Sequence, residues 1–173
     1  KQPTPVIVVS SYAQRENVFK ALELGALDFV AKPDRQITPD AKSFTFTLRR
    51  GVRFHSTPYF TPTREMNADD VIFTLRRMTD PQHPFHKAFA VPYVYAQSLG
   101  LAEMIAGIDR FDDHTVRFRL KTPNVTFLSY FAMSFAGIHS AEYAAKLLAE
   151  GRASAINNQP VGAGPYKWKS YRK

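Results

Sequence analysis

His83 and His86 stand three residues apart in PQHPFHK, a spacing at which two imidazoles share one helix face and could begin a metal site. Pro84 lies between them and blocks a regular helix, and no third ligand is implied. Both are therefore read, with His55, as loop or surface histidines. His139 beside Ser140 pairs a base with a hydroxyl, but adjacent residues rarely orient for proton transfer, and Ser140 already has a role as a helix cap. The acid pairs Asp69-Asp70 and Asp112-Asp113 are adjacent too, so their carboxylates point apart on a helix or strand. His114, after the second pair, reads as part of a turn at a strand start. Gly162, Gly164 and Pro165 lack the lysine and the strand-to-helix setting of a phosphate loop and read as a turn. These patterns point to no catalytic site, no metal site and no cofactor. Phe54, Tyr59, Phe60, Phe85, Phe89, Tyr93 and Tyr95 fall in irregular segments, where they line a groove or cover a small core; the core is the expected outcome.

The elements that hold these residues follow from periodicity. Val6 to Val9 is a short β-branched run after Pro5, predicted as a buried strand of a parallel sheet. Residues 16–24 place Val18, Ala21 and Leu22 at helical spacing ahead of Gly25, and Leu27 to Ala31 is a second strand stopped by Lys32-Pro33. Together they make one βαβ unit. From Thr38 the style changes: Ser43 to Arg49 alternates, with Phe44, Phe46 and Leu48 on one face. His55 to Thr63 is a loop, and Asn67 caps a helix whose stripe is Val71, Ile72, Leu75 and Met78, ended by Asp80-Pro81. A short helix or turn is expected before Met104 to Ile108, and His114 to Leu120 alternates again. Helices are predicted from Asn124 to about Phe135 and from Ser140 to Gly151, and a closing strand over Tyr166 to Tyr171. The class is α/β with α+β mixing.

Lys and Arg number 23 against 15 Asp and Glu, a net +8 that favours solubility and weak attraction to polyanions. The basic clusters form no repeated motif and read as a solvated face, so no nucleic-acid partner is expected. Without cysteine there is no disulfide, thiolate nucleophile or cysteine metal site. No apolar run approaches the ~20 residues of a membrane span, and no membrane insertion is expected. The start KQPTPVIVVSS lacks a secretory signal, so the chain is expected to be cytoplasmic by expression or already stripped of its signal.

The block PVIVVSSYAQRENVFKALELGALDFVAKPD resembles the fourth strand, fourth helix and fifth strand of response-regulator receiver domains of the chemotaxis methylesterase type. The resemblance matches Ser10 or Ser11 to the family's hydroxyl residue, and Lys32 and Pro33 to its lysine-proline pair. It supplies no phosphoacceptor and no acidic pair, so these are inactive remnants.

SFTFTLRRGVRFHSTPYFTPTREMNADDVIFTLRRMTDPQHPFHK, continued by DDHTVRFRLKTPNVTFL, MSFAGIHSAEYAAKLL and NNQPVGAGPYKWKSYRK, resembles the periplasmic solute-binding proteins of dipeptide, oligopeptide and antimicrobial-peptide ABC transporters. This resemblance implies a subdomain of a two-lobed protein, with the transporter's membrane subunits as partners; with most of the gripping surface and the second lobe missing, no peptide binding of meaningful affinity is expected, and Tyr59, Phe60, Phe85 and Tyr93 are the aromatic candidates for peptide contact should it persist.

The two resemblances divide the chain into a flavodoxin-like βαβ fragment at 1–36 and a solute-binding subdomain at 37–173, with a seam between Asp34 and Thr38 and one shared mixed sheet. The expectation is an engineered chimeric scaffold without intact activity, not an enzyme, expressed recombinantly in the cytoplasm. The alternatives are a peptide-binding module of a transporter's solute-binding protein and a protein-interaction fragment of a receiver. A homodimer is left open.

Overall fold

The computed structural model describes residues 7–10, 28–31, 41–89, 91–167 and 169. Strands β1 (Ile7–Ser10) and β2 (Asp28–Ala31) pair in parallel, with Val8 opposite Phe29 and Val9 opposite Val30. Both predicted strands therefore exist. The helix expected at 16–24, Ser11, Lys32, Pro33 and the 34–38 seam lie outside the described residues.

A second, antiparallel sheet has the order β3 (Ser43–Thr47), β5 (Thr115–Leu120), β4 (Ile105–Asp112). Here the expectation of one shared sheet fails: among the described residues β1 and β2 pair with each other, and β3 pairs with β5. The reason is the alternation itself. A strand with one apolar and one polar face needs a neighbour with the same in-out pattern, and β5 supplies it by setting Phe118 opposite Phe44 and Val116 opposite Phe46.

Strand β4 was missed by periodicity. Register shifts between Ile105 and Gly107 and between Arg110 and Asp112 break the two-residue repeat, so Ile105 and Ile108 fall three apart and imitate a helix. The helix at this point, α4 (Leu101–Met104), is only the lead-in to the strand.

Helix α1 (Ala68–Thr79) starts where Asn67 and Asp70 form a reciprocal capping box, and it buries Val71, Leu75 and Met78. Pro84 does not break a helix but begins one: α2 (Pro84–Ala88) takes Pro at its first turn, and His83 Nδ1 accepts from the Phe85 amide. Helix α3 covers Val94–Ser98.

The long helix expected from Asn124 shrinks to α5 (Phe127–Tyr130) and a 3₁₀ turn at Ser134–Ala136. Asn124 Oδ1 takes the Thr126 amide, and the Phe131, Ala132 and Met133 amides each bond three residues back, so the backbone is satisfied by turns instead of helix. Helix α6 (Ala141–Ala149) is capped by Ser140, as its sequence predicts, and α7 (Ala155–Asn158) follows. Tyr166 and Lys167 are not in a strand; the rest of the expected closing strand, apart from Lys169, lies outside the described residues.

Two apolar clusters hold these elements. In the first, the α1 stripe packs with Phe44, Ile108, Val116, Phe118 and Phe127. In the second, Phe54, Phe60 and Phe85 pack with Tyr143, Leu147 and Ile156.

Candidate binding site

The loop that enters α1 and the β4–β5 turn face each other across an open cleft of about 230 Å³, lined by Arg64, Glu65, Met66, Asn67, Asp113 and His114. The turn is set by Asp112, whose Oδ1 accepts the His114 amide at 2.6 Å; that bond is the main cause holding the Asp112 carboxyl below its ordinary range. The Asp113 carbonyl takes the Ala68 amide at 2.8 Å, tying the turn to the first residue of α1. His114 Nδ1 is sequestered in this region without a hydrogen-bond partner.

Behind the cleft, Asp70 is fully buried and accepts from both terminal nitrogens of Arg64, from the Asn67 amide and from the Ala141 amide. The hydrogen bond to Asp70 is the main cause raising the Arg64 pKa. Asp69, its neighbour, points the other way and meets Arg110 at 3.2 Å, as adjacent acids on a helix must. The sequence offers the capping box but no signal for the cleft. Arg64 and Ala141 reach Asp70 from a loop and from the start of another helix, relations with no local period.

The aromatic candidates do not converge on this cleft. Phe60 is 6% exposed and Tyr59 half-buried; both rings pack on Tyr143, at 4.9 and 6.0 Å, and Tyr59 Oη donates to the Pro160 carbonyl. Phe85 is 1% exposed and meets Phe73 edge-on. Tyr93 sits apart, half-buried, beside His86 and Arg77. Among the described histidines, His55 Nε2 lies 2.7 Å from the Gly164 carbonyl and its amide donates to the Gly162 carbonyl, which makes GAGPY a turn fastened to the second cluster. No group of three or more metal-ligating side chains comes together among the described residues, and no helix there is long and apolar enough to cross a membrane.

The described residues form a mixed α/β body with an antiparallel three-stranded sheet and a polar cleft at the entry of α1. The family model for bacterial extracellular solute-binding proteins, family 5, described as its middle portion, matches residues 8–173, and the chain belongs to that family. Its members bind solutes and are not enzymes. Di/tripeptide-binding protein 1 of Pseudomonas aeruginosa is 50% identical over 137 residues, which cover 79% of this chain and 26% of that protein. Heme-binding protein A of Haemophilus influenzae is 41% identical over 137 residues, 79% of this chain and 25% of that one. Among solved structures, the dipeptide-binding protein of Pseudoalteromonas sp. SM9913 in complex with Met-Leu superposes with a TM-score of 0.77 at 48% identity, over 81% of this chain and 28% of the other. The chain thus spans about a quarter of the length of the curated relatives it matches.

These matches overturn the chimera. The family model begins at residue 8 and runs through 34–38, where a seam was expected, so the chain is one solute-binding fold and not a flavodoxin-like fragment joined to a second protein. A parallel strand–crossover–strand unit is common to many α/β folds, and the receiver resemblance reads that shared unit. Ser10 is the last residue of β1, opposite Ala31, and the matching of Ser10, Ser11, Lys32 and Pro33 to receiver positions loses its basis with the receiver resemblance. The engineered scaffold, the receiver interaction fragment and the recombinant cytoplasmic origin fall with it, because the family is one of bacterial extracellular proteins.

Proposed function

We propose that this chain works as part of the periplasmic solute-binding subunit of an ABC importer and that the solute is a di- or tripeptide. The observation that carries the reading is the 50% identity to a di/tripeptide-binding protein, supported by the superposition on a dipeptide complex. Heme-binding protein A shares the same stretch at 41% identity, so this subdomain is a scaffold on which different ligands are accommodated. The partner is the importer's membrane subunits; a homodimer is the alternative, decided by sedimentation.

In this reading Tyr59 and Tyr93, the two half-buried members of the aromatic set, stand against different apolar clusters, so one of them rather than both contributes ring surface to a bound peptide. Phe60 and Phe85, packed on Tyr143 and Phe73, fix the apolar body behind them. Native mass spectrometry of the full-length protein purified from its own periplasm tests the proposal: retained masses of two- and three-residue peptides support it, and a retained heme or metal chelate refutes it.

A further inference from the structure

Four donors reach the carbonyls of one short segment, residues 159–164. Tyr143 Oη donates to the Gln159 carbonyl at 2.9 Å and Tyr59 Oη to the Pro160 carbonyl at 2.8 Å. His55 supplies the other two: its amide donates to the Gly162 carbonyl at 2.8 Å, and its Nε2 donates to the Gly164 carbonyl at 2.7 Å, since a carbonyl can only accept. Between these bonds Val161 is 6% exposed and Ala163 packs on the second apolar cluster. The donors themselves stand on one aromatic body, with the Tyr59 and Phe60 rings 6.0 and 4.9 Å from Tyr143. Burial raises the Tyr143 pKa and so keeps that hydroxyl protonated as a donor.

The segment belongs to no helix or strand, so side chains of two other elements hold it where a ladder otherwise would. Gly162 and Gly164 lie outside the left-handed region, and a Cβ on either would meet nothing within 4 Å among the described residues, so neither glycine is there for a tight turn or a crowded contact. A stretch fixed by a few side-chain bonds and two small apolar residues opens at a lower free energy than the core it covers. We propose that residues 159–164 are a latch that lifts from the second cluster as one unit while the rest of the fold stays closed, and that His55, Tyr59 and Tyr143 are the positioning residues that set how often it lifts.

The chain has no cysteine, so Val161→Cys places a single thiol under the latch, and its reaction with a disulfide reagent in native buffer follows the lifted population. Labelling at least about 10-fold slower than in the urea-unfolded protein is expected, and roughly 3- to 10-fold faster labelling once Tyr59→Phe or Tyr143→Phe is added, since each removes one hydrogen bond and keeps its ring. His55→Ala should accelerate it in the same way, and His55→Gln, whose amide can still donate to the Gly164 carbonyl, should bring the rate back to within about twofold. Ala96→Cys, 4% exposed in the first cluster, reports wider unfolding and should change by less than about twofold in the same backgrounds. Ala163→Cys is the second reporter if Val161→Cys fails to fold. Labelling as fast as in the unfolded protein, no acceleration by either tyrosine variant, His55→Gln as fast as His55→Ala, or equal acceleration at Ala96→Cys, which would mark a loss of overall stability only, overturns the proposal.

Discussion

Asp70 receives both terminal nitrogens of Arg64, at 2.7 and 2.9 Å, while its own side chain is fully buried. Two backbone amides, of Asn67 and Ala141, complete its shell, so one carboxylate joins the loop beside the polar cleft to the starts of α1 and α6. Asp70→Asn keeps the shape but turns an amide donor toward Arg64 and toward the backbone amide of either Ala141 or Asn67. It is expected to lower stability by about 3 to 5 kcal/mol, as loss of one partner of a buried ion pair does. Urea denaturation checks this, and a cycle with Arg64→Met should show coupling of at least about 1 kcal/mol.

His139 gives the fold an acid-sensitive step. Burial, and secondarily the charge of Arg77, lower its pKa from 6.5 to about 4. The folded pKa is depressed, so the contribution is fully present above the unfolded value near 6.5 and is lost as pH falls toward 4. The upper bound is about 3 kcal/mol, since the ring is only half-buried. Melting temperature followed from pH 7 to pH 4 should decline, and His139→Gln should flatten that part of the curve.

On the solvated face of the sheet, Asp109 is bracketed by Arg119 at 2.8 Å and Arg117 at 3.0 Å, and the hydrogen bond from Arg119 is the main cause lowering its pKa. Its contribution is present above the ordinary carboxylate value and is lost as pH falls through the depressed one. A Cβ on Gly107 would come within 2.5 Å of Arg119 Nη2, the far end of a flexible side chain. Gly107→Ala should therefore displace Arg119 from Asp109, read as a small shift in the denaturation midpoint.

The alternating strands β3 and β5 and the capped helices α1 and α6 were legible because each signal is local: an in-out repeat, or a cap followed by an apolar stripe. Strand β4 was not, since its bulges disguise the repeat, and neither was the true partner of β3, because pairing across some seventy residues leaves no local trace. The cleft was invisible for the same reason. Arg64 and His114 are ordinary in their own surroundings and become neighbours only when the β4–β5 turn docks on the α1 entry. The receiver resemblance misleads because it rests on one short parallel strand pair and its connection, a unit that many α/β folds share, whereas the family match runs over residues 8–173.

Phe118 tests whether the first apolar cluster carries the fold. It is 1% exposed and its ring meets Phe46, Phe127 and Phe131 within 5.6 Å. Phe118→Ala should cost about 3 to 5 kcal/mol, and loss of near-ultraviolet dichroism at a lower denaturant concentration would report it.

The central claim, that this chain belongs to a di- or tripeptide-binding protein, is tested most directly by calorimetric titration of the ligand-stripped full-length protein with Met-Leu, a tripeptide, a single amino acid and heme. Saturable binding of the di- and tripeptide with 1:1 stoichiometry, and none of the amino acid or heme, is the predicted result. Binding of heme alone, or no heat with either peptide, would contradict it.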